Sequence, residues 1–379
     1  MYIAEQNKKS IFKTYLIYFI CMALFCVVRI LASSGWLNDV STRIADVIAT
    51  VIIQVLIMFA IPFLLYCVLI KVKPKSVFKT CNYNKINLTT LFIALGLGVL
   101  LFIINIIVSS LFNGIISFTG YQTPIFLGAS EDLSYSFVYF LLDALLIAVL
   151  PALCEEFLHR GILLQGTKHS GFNKSIIISS ILFGLLHFDI NKVFYAFVLG
   201  LILGFVSVVS KNIWVPIIMH FVNNFLAVYL DYAQINGWFG SGFYSTINSW
   251  ANSGALSVFL ISLVTLVIVV ALLIYLILQL YNQTIVKKVN NALNSIYKSE
   301  ENLKNSSVVI MEQNIMIQNM LENSTMLNLN NEQMKSPIEM VMPKQKKLYK
   351  TKFKDNIFLI SSLVLGSLVT LFTFIWGFI

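Results

Sequence analysis

Long apolar segments alternate with short polar ones along most of the chain. An apolar helix needs about 20 residues to cross a bilayer, at a rise of about 1.5 Å per residue. Runs near or above that length lie at residues 11–33, 45–70, 88–112, 134–155, 175–190, 193–210, 212–231, 254–280 and 357–378. Two of them, 175–190 and 193–210, are short. The pattern predicts an all-α polytopic membrane protein with about nine transmembrane helices.

The composition supports this class, because 58% of the 379 residues are hydrophobic and only 11% are charged. The net charge of +9 comes from lysines in the loops between apolar runs. These lysines form no basic patch interleaved with aromatic residues, so membrane lipids are expected partners and nucleic acid is not. The five cysteines are an odd number without a C-x-x-C motif, which favours neither a disulfide framework nor a zinc finger.

Basic residues set the expected orientation. Lys8, Lys9 and Lys13 precede the first apolar run, which exceeds the about 7–15 apolar residues of a signal peptide. With the amino terminus in the cytoplasm, all but three of the 26 Lys and Arg residues fall on the cytoplasmic side. The exceptions are Arg29, Arg43 and Lys192. The positive-inside rule therefore predicts a multi-pass protein of the cell membrane with its carboxyl terminus outside.

The chain divides into five predicted segments. They are the N-terminal transmembrane helices (1–112), a core that carries polar motifs (130–235), a further transmembrane helix (236–280), a polar Asn- and Lys-rich cytoplasmic segment (281–355) and a C-terminal transmembrane helix (356–379). In the polar segment, apolar residues recur every seven positions, at Ile296, Leu303, Ile310 and Ile317. Polar residues interleave them, so a weak coiled coil and an amphipathic helix at the inner leaflet are both open.

Three polar clusters lie within the core, each on a different predicted helix. They are EEFLHR (155–160), FGLLH (183–187) and HFVNN (220–224). A charged side chain at membrane depth costs about 2.5–3.5 kcal/mol on insertion scales, and such residues usually mark a functional site. The clusters are therefore the candidate site.

Helical spacing predicts how these groups are arranged. Glu156 and Arg160 are four residues apart and share a face, so the guanidinium can neutralise the carboxylate. Glu155 points about 100° away and is free to face another partner. The other clusters supply two imidazoles and an amide, at His187, His220 and Asn224. One carboxylate, two imidazoles and an amide can thus converge.

Two chemistries suit such a set. A carboxylate sheltered from bulk water can act as a general base on a bound water, while His220 and Asn224 donate hydrogen bonds to a developing oxyanion. Alternatively, Glu155, His187 and His220 can form a zinc site with an open position for water. The residues alone leave both chemistries open.

The three motifs match those of a known family. E-E-x-x-x-R, F-x-x-x-H and H-x-x-x-N, in this order, resemble the CAAX protease and bacteriocin-processing (CPBP) family of intramembrane endopeptidases over about residues 130–235. The resemblance implies a CPBP-like catalytic core in which Glu155 and His187 activate the attacking water. It also implies oxyanion and supporting roles for the remaining motif residues, which are His220, Asn224, Glu156, Arg160 and Phe183.

The implied function is hydrolysis of peptide bonds in membrane-associated peptides. The expected substrates are CAAX-like lipidated proteins or bacteriocin and signalling peptides. A glutamate-type peptidase without a cofactor is favoured, with zinc as the alternative. The competing hypotheses are a non-enzymatic membrane scaffold or bacteriocin-immunity protein that keeps the fold, and a transporter that uses the cluster as a proton or ion relay.

Three further residues carry expectations. His159 is expected to reach the membrane interface, and Asp143 is assigned a packing or hydration role because it has no obvious partner. Counting along straight helices places Glu155 near the inner side and His187 about 20 Å from it. Because a proline ring disrupts the preceding helical turn, we expect a bend at Pro151 that lets the two meet.

Overall fold

The computed structural model describes residues 2–34, 40–117, 119–121, 135–243, 245–246, 256–304 and 353–376, and this part of the chain is helical without strands. The helices, in chain order, are α1 (Tyr2–Ser33), α2 (Thr42–Val51, Ile52–Ala60 and Ile61–Ile70 in succession), α3 (Pro74–Thr80), α4 (Leu88–Ser117), α5 (Phe137–Asp143 through Leu164–Thr167), α6 (Phe172–Leu185), α7 (Ile190–Ser210), α8 (Trp214–Asn236), α9 (Leu256–Lys304) and α10 (Ile357–Trp376).

The predicted class, an all-α polytopic membrane protein, is confirmed. Seven helices in the described ranges are long and apolar enough to cross a membrane, namely α1, α2, α4, α5, α7, α9 and α10. Of the two other predicted spans, α6 has only 14 residues. The other is α8, which contains the polar cluster at 220–224. The count of nine spans therefore stays a prediction.

The chain forms two compact units, residues 1–277 with 346–379, and residues 278–345. Helix α9 is continuous over 49 residues and passes the predicted boundary at residue 281 without a break. It carries two of the four apolar residues with seven-residue spacing, Ile296 and Leu303. Ile310 and Ile317 lie outside the described residues, so the nature of the 281–355 segment stays a prediction.

Helix α5 is longer than the sequence pattern predicts. Its span covers Phe137–Ser170, 34 residues, rather than 134–155. Every residue from Glu156 to Thr167 is buried, so the helix continues beyond the glutamates inside the protein. The predicted end of this span at residue 155 is therefore wrong, and Arg160 lies inside the helix. Glu155 lies near the middle of this helix and not at its end. The predicted difference in membrane depth between Glu155 and His187 assumed that the helix ended at the glutamates, so it no longer applies.

Two π-helical stretches interrupt α5, Ala144–Val149 and Phe157–Leu163. The first ends just before Pro151, which lacks the N–H that would close an ordinary helical turn on the carbonyl of Ile147. Wide turns of this kind are frequent at functional sites. The π-helical stretch lies just before Pro151, and Pro151 itself is in regular α-helix, so the bend expected there stays a prediction.

Close packing at two glycines brings α4 onto α8 and α6 onto α7. A Cβ atom at Gly98 would lie 2.6 Å from Cβ of Val222, and one at Gly200 would lie 3.0 Å from Cα of Ser180. Only glycine allows backbones to approach so closely, as in other membrane helix pairs. These contacts hold the helices that carry the second and third polar clusters.

Candidate active site

The Glu156 carboxylate is fully buried and bound on one oxygen by two cationic or polar groups. Arg160 Nη1 donates to Glu156 Oε1 at 2.7 Å, as the spacing predicts, and both side chains are 0% exposed. His220 Nδ1 lies 3.0 Å from the same oxygen. Because an ionised carboxylate only accepts hydrogen bonds, Nδ1 carries the proton and Nε2 of His220 faces away from Glu156. Glu156 thereby joins α5 to α8.

Arg160 also binds α7 and α6. Its Nη2 donates to the carbonyl oxygen of Gly200 at 3.0 Å, and its guanidinium lies over the ring of Phe183, 4.7 Å from the centroid. A desolvated guanidinium gains from a carboxylate, a carbonyl and an aromatic face together. Arg160 therefore connects α5 to both α6 and α7, and α5 and α6 each carry one of the polar clusters.

Phe183 lies at the centre of the imidazoles. Its ring makes edge-on contacts with the rings of His159, His187 and His220, at centroid distances of 5.0, 5.4 and 5.8 Å. Its side chain is only 3% exposed. Edge-on packing restricts how each imidazole can turn. The motif position that the sequence assigns to Phe183 is thus a packing position between histidines.

Glu155 faces a different partner from Glu156. Its Oε1 accepts a hydrogen bond from Gln54 Nε2 of α2 at 2.8 Å. Glu155 is half-buried, and its charge is close enough to the His187 ring for the two to interact electrostatically. The two neighbouring glutamates therefore occupy different environments.

Gln54 is a residue that the sequence analysis missed. It is a strongly polar residue within the apolar run 51–65, and that isolation was the signal that could have found it. Its side chain is 8% exposed, and its Oε1 has no hydrogen-bond partner within the described part of the chain. A buried amide with a free carbonyl costs about 1–3 kcal/mol. Packing against neighbouring side chains therefore does not explain why a glutamine occupies this position.

The two ring nitrogens of His187 have different surroundings, because Nδ1 is hydrogen-bonded to the helix backbone and Nε2 points away from it. Nδ1 lies 3.0 Å from the carbonyl oxygen of Phe183, one helical turn earlier. A carbonyl only accepts, so Nδ1 carries the proton and Nε2 of the neutral ring keeps its lone pair. Asn224 is held as well, because its Nδ2 donates to the carbonyl oxygen of Ile147 at 3.0 Å.

Two interpretations of nearby residues are wrong. His159 does not reach an interface: it is 0% exposed, and Tyr18 Oη lies 3.2 Å from its Nε2. Asp143 has two partners, since Arg43 Nη1 donates to its Oδ1 at 2.6 Å and Tyr135 Oη to its Oδ2 at 2.5 Å. None of these three contacts could be predicted from helical spacing, because two join residues at least 100 positions apart and the third joins residues eight positions apart.

The described residues do not offer the zinc site that the sequence left open. Within the described ranges, no group of three His, Cys, Asp or Glu side chains is placed to hold a metal ion. In this arrangement, Glu155, His187 and His220 do not form a three-ligand set.

Residues 137–226 match the family model described as Type II CAAX prenyl endopeptidase Rce1-like. This match, from α5 into α8, confirms the predicted resemblance to CAAX proteases, and the seven apolar helices make the chain a multi-pass membrane protein. The matched segment contains every site residue that the sequence analysis named. A comparison with curated proteins and one with solved structures gave no match.

Proposed function

We propose that this protein is an intramembrane endopeptidase that hydrolyses peptide bonds of membrane-associated peptides. The observation that carries the proposal is the difference between the two glutamates. Glu156 is buried, paired with Arg160 and hydrogen-bonded to His220, whereas Glu155 is half-buried beside His187. Among the described residues Glu155 forms no direct ion pair, and it lies within electrostatic range of the His187 imidazole, an arrangement that suits a general base.

In the proposed reaction, Glu155 and His187 activate water. One oxygen of Glu155 is bound by Gln54, which leaves Oε2 to take a proton from a water molecule. Nε2 of His187 can accept the other hydrogen of that water. The resulting hydroxide attacks the scissile carbonyl carbon, and the proton held by Glu155 passes to the leaving amine.

His220 and Asn224 would stabilise the tetrahedral intermediate. Nδ1 of His220 is held by the Glu156 carboxylate, and Nε2, on the other side of the ring, would donate to the oxyanion when it carries a proton. Asn224 has a second N–H on Nδ2, besides the one given to Ile147. Donors held in place in this way typically contribute about 10²–10³-fold to the rate. Glu156, Arg160 and Phe183 support the site by fixing these side chains.

The substrates that we propose are peptides held at or in the membrane, CAAX-like lipidated proteins or bacteriocin and signalling peptides, which reach the site from the cytoplasmic side. The test is cleavage of a fluorescence-quenched peptide library, prenylated and unprenylated, by the purified protein in nanodiscs. Cleavage of membrane-bound peptides supports the proposal. A folded protein that cleaves none of them would favour the scaffold or immunity hypothesis.

Gln54→Leu is expected to lower kcat by about tenfold or more with little change in KM. The leucine keeps the volume but removes the donor that holds Glu155, and small displacements of a catalytic group carry costs of this size. The measurement is steady-state cleavage with a matched control, Gln165→Leu, because Gln165 is also buried in a helix but bonds to Lys168. Equal kcat in both variants would contradict a role for Gln54.

The proposed orientation predicts which exposed positions react with a membrane-impermeant maleimide. In a cysteine-free background, Lys75→Cys in α3 is expected to be protected in intact cells and labelled after lysis. Phe239→Cys, after α8, is expected to be labelled in intact cells, since Phe239 is 92% exposed. The reverse pattern would invert the topology and place the amino terminus outside.

A further inference from the structure

A chain of hydrogen bonds leads from α4 to Asn224. Ser109 Oγ donates to Asn105 Oδ1 at 3.0 Å, and Asn105 Nδ2 donates to Asn223 Oδ1 at 3.1 Å. Asn223 Nδ2 then donates to Asn224 Oδ1 at 2.8 Å. Asn223 is 4% exposed, and Asn105 and Ser109 are half-buried. Three amides and a hydroxyl thus form one polar line between two apolar helices.

The orientation of every amide in this line follows from one backbone carbonyl. The carbonyl of Ile147 can only accept, so Asn224 must turn its Nδ2 towards it. Asn224 Oδ1 then faces Asn223, which must donate, and Asn223 Oδ1 faces Asn105, which must donate in turn. A flipped Asn224 would place two carbonyl oxygens against each other and two NH₂ groups against each other.

The line of hydrogen bonds ends at the backbone carbonyl of Ile147, four residues before Pro151. In a regular helix, the N–H of residue 151 would bind the carbonyl of Ile147, and proline has no N–H. Asn224 occupies that carbonyl from the neighbouring helix. The proline next to the glutamates and the asparagine of α8 are thereby coupled.

We propose that Asn223 and Asn105 are positioning residues that fix the amide of Asn224 with its second N–H turned towards the oxyanion. The inference rests on the proposed function and deepens it. A buried, fully oriented line of amides polarises each member in the same direction, which strengthens the terminal donor. Asn105 and Asn223 act in this role only through Asn224, so their effects on kcat must depend on it.

A double-mutant cycle in kcat tests this dependence. Asn224→Ala is expected to lower kcat by about 100-fold or more. Asn223→Leu, which keeps the shape of the side chain, is expected to lower kcat by about tenfold with KM within twofold, because the Asn224 amide loses the hydrogen bond to its Oδ1 that restrains and polarises it. In the Asn224→Ala background, Asn223→Leu should cause less than a twofold further loss. Asn105→Leu should show the same pattern with a smaller loss.

Asn236→Ala is the matched control, because Asn236 is also in α8 and donates to backbone carbonyls of Tyr135 and Tyr232 away from the line. Its kcat should stay within twofold of wild type. Equal loss from Asn223→Leu in both backgrounds, or an effect on KM alone, would overturn the inference while the proposed function stands. No cleavage by folded wild type would overturn the proposed function and the inference with it.

Discussion

Glu155→Gln is expected to abolish most peptide cleavage, with a fall in kcat of about 10²–10⁴-fold. The amide cannot take a proton from water, which removes the contribution typical of a general base. The substitution keeps the carbonyl oxygen that accepts from Gln54 at 2.8 Å, so the local packing should be retained. The effect should therefore appear in kcat and not in folding.

The measurement compares initial cleavage rates of wild type and Glu155→Gln, with thermal unfolding of both purified proteins as a check on integrity. His169→Gln is a suitable control, since His169 lies in the 3₁₀ turn Lys168–Ser170, outside the cluster. Its rate should match wild type. A Glu155→Gln protein that keeps more than about a tenth of the wild-type rate would exclude Glu155 as the general base.

Arg160→Met is expected to destabilise the fold by about 3–5 kcal/mol, the largest stability effect that the site predicts. Removing one partner of a buried ion pair leaves an uncompensated charge in a medium of low dielectric constant. Here the guanidinium and the Glu156 carboxylate are both 0% exposed, and of the described residues His220 alone would remain hydrogen-bonded to the carboxylate. Thermal or denaturant unfolding in detergent would measure the loss.

The double variant Glu156→Gln with Arg160→Met distinguishes charge from packing. Removing both charges leaves no unpaired ion, so the double variant should be clearly more stable than Arg160→Met alone. It should still cleave poorly, because His220 loses its carboxylate. A double variant as unstable as the single one would mean that the volume of Arg160, stacked on Phe183, matters more than its charge.

Local spacing was sufficient to predict the helical class and one contact of the site. Glu156 and Arg160 are four residues apart on one helix, and their 2.7 Å contact follows directly. By contrast, His220 Nδ1 is bound to Glu156, 64 residues away. The partner of Glu155, Gln54, is 101 residues away. Periodicity carries no information on such distant pairs.

The length of α5 was misjudged for a physical reason. The predicted span 134–155 ends at the first charged residues, because charges are costly in lipid. In the structure, that part of the helix is surrounded by protein, where Arg160 and His159 find partners. Polar residues inside a helix bundle are therefore a poor mark of a helix end. The two π-helical stretches of α5 were likewise not predictable from the sequence.

The most direct test of the account is mass spectrometry of a prenylated peptide after incubation with the chelator-treated protein in nanodiscs, wild type beside Glu155→Gln. We predict that wild type cleaves an internal peptide bond and that Glu155→Gln leaves the peptide intact. Cleavage that disappears with the chelator and returns with zinc would contradict a metal-free glutamate site. An intact peptide with folded wild type, or equal cleavage by both proteins, would contradict the central claim that Glu155 activates water for peptide hydrolysis.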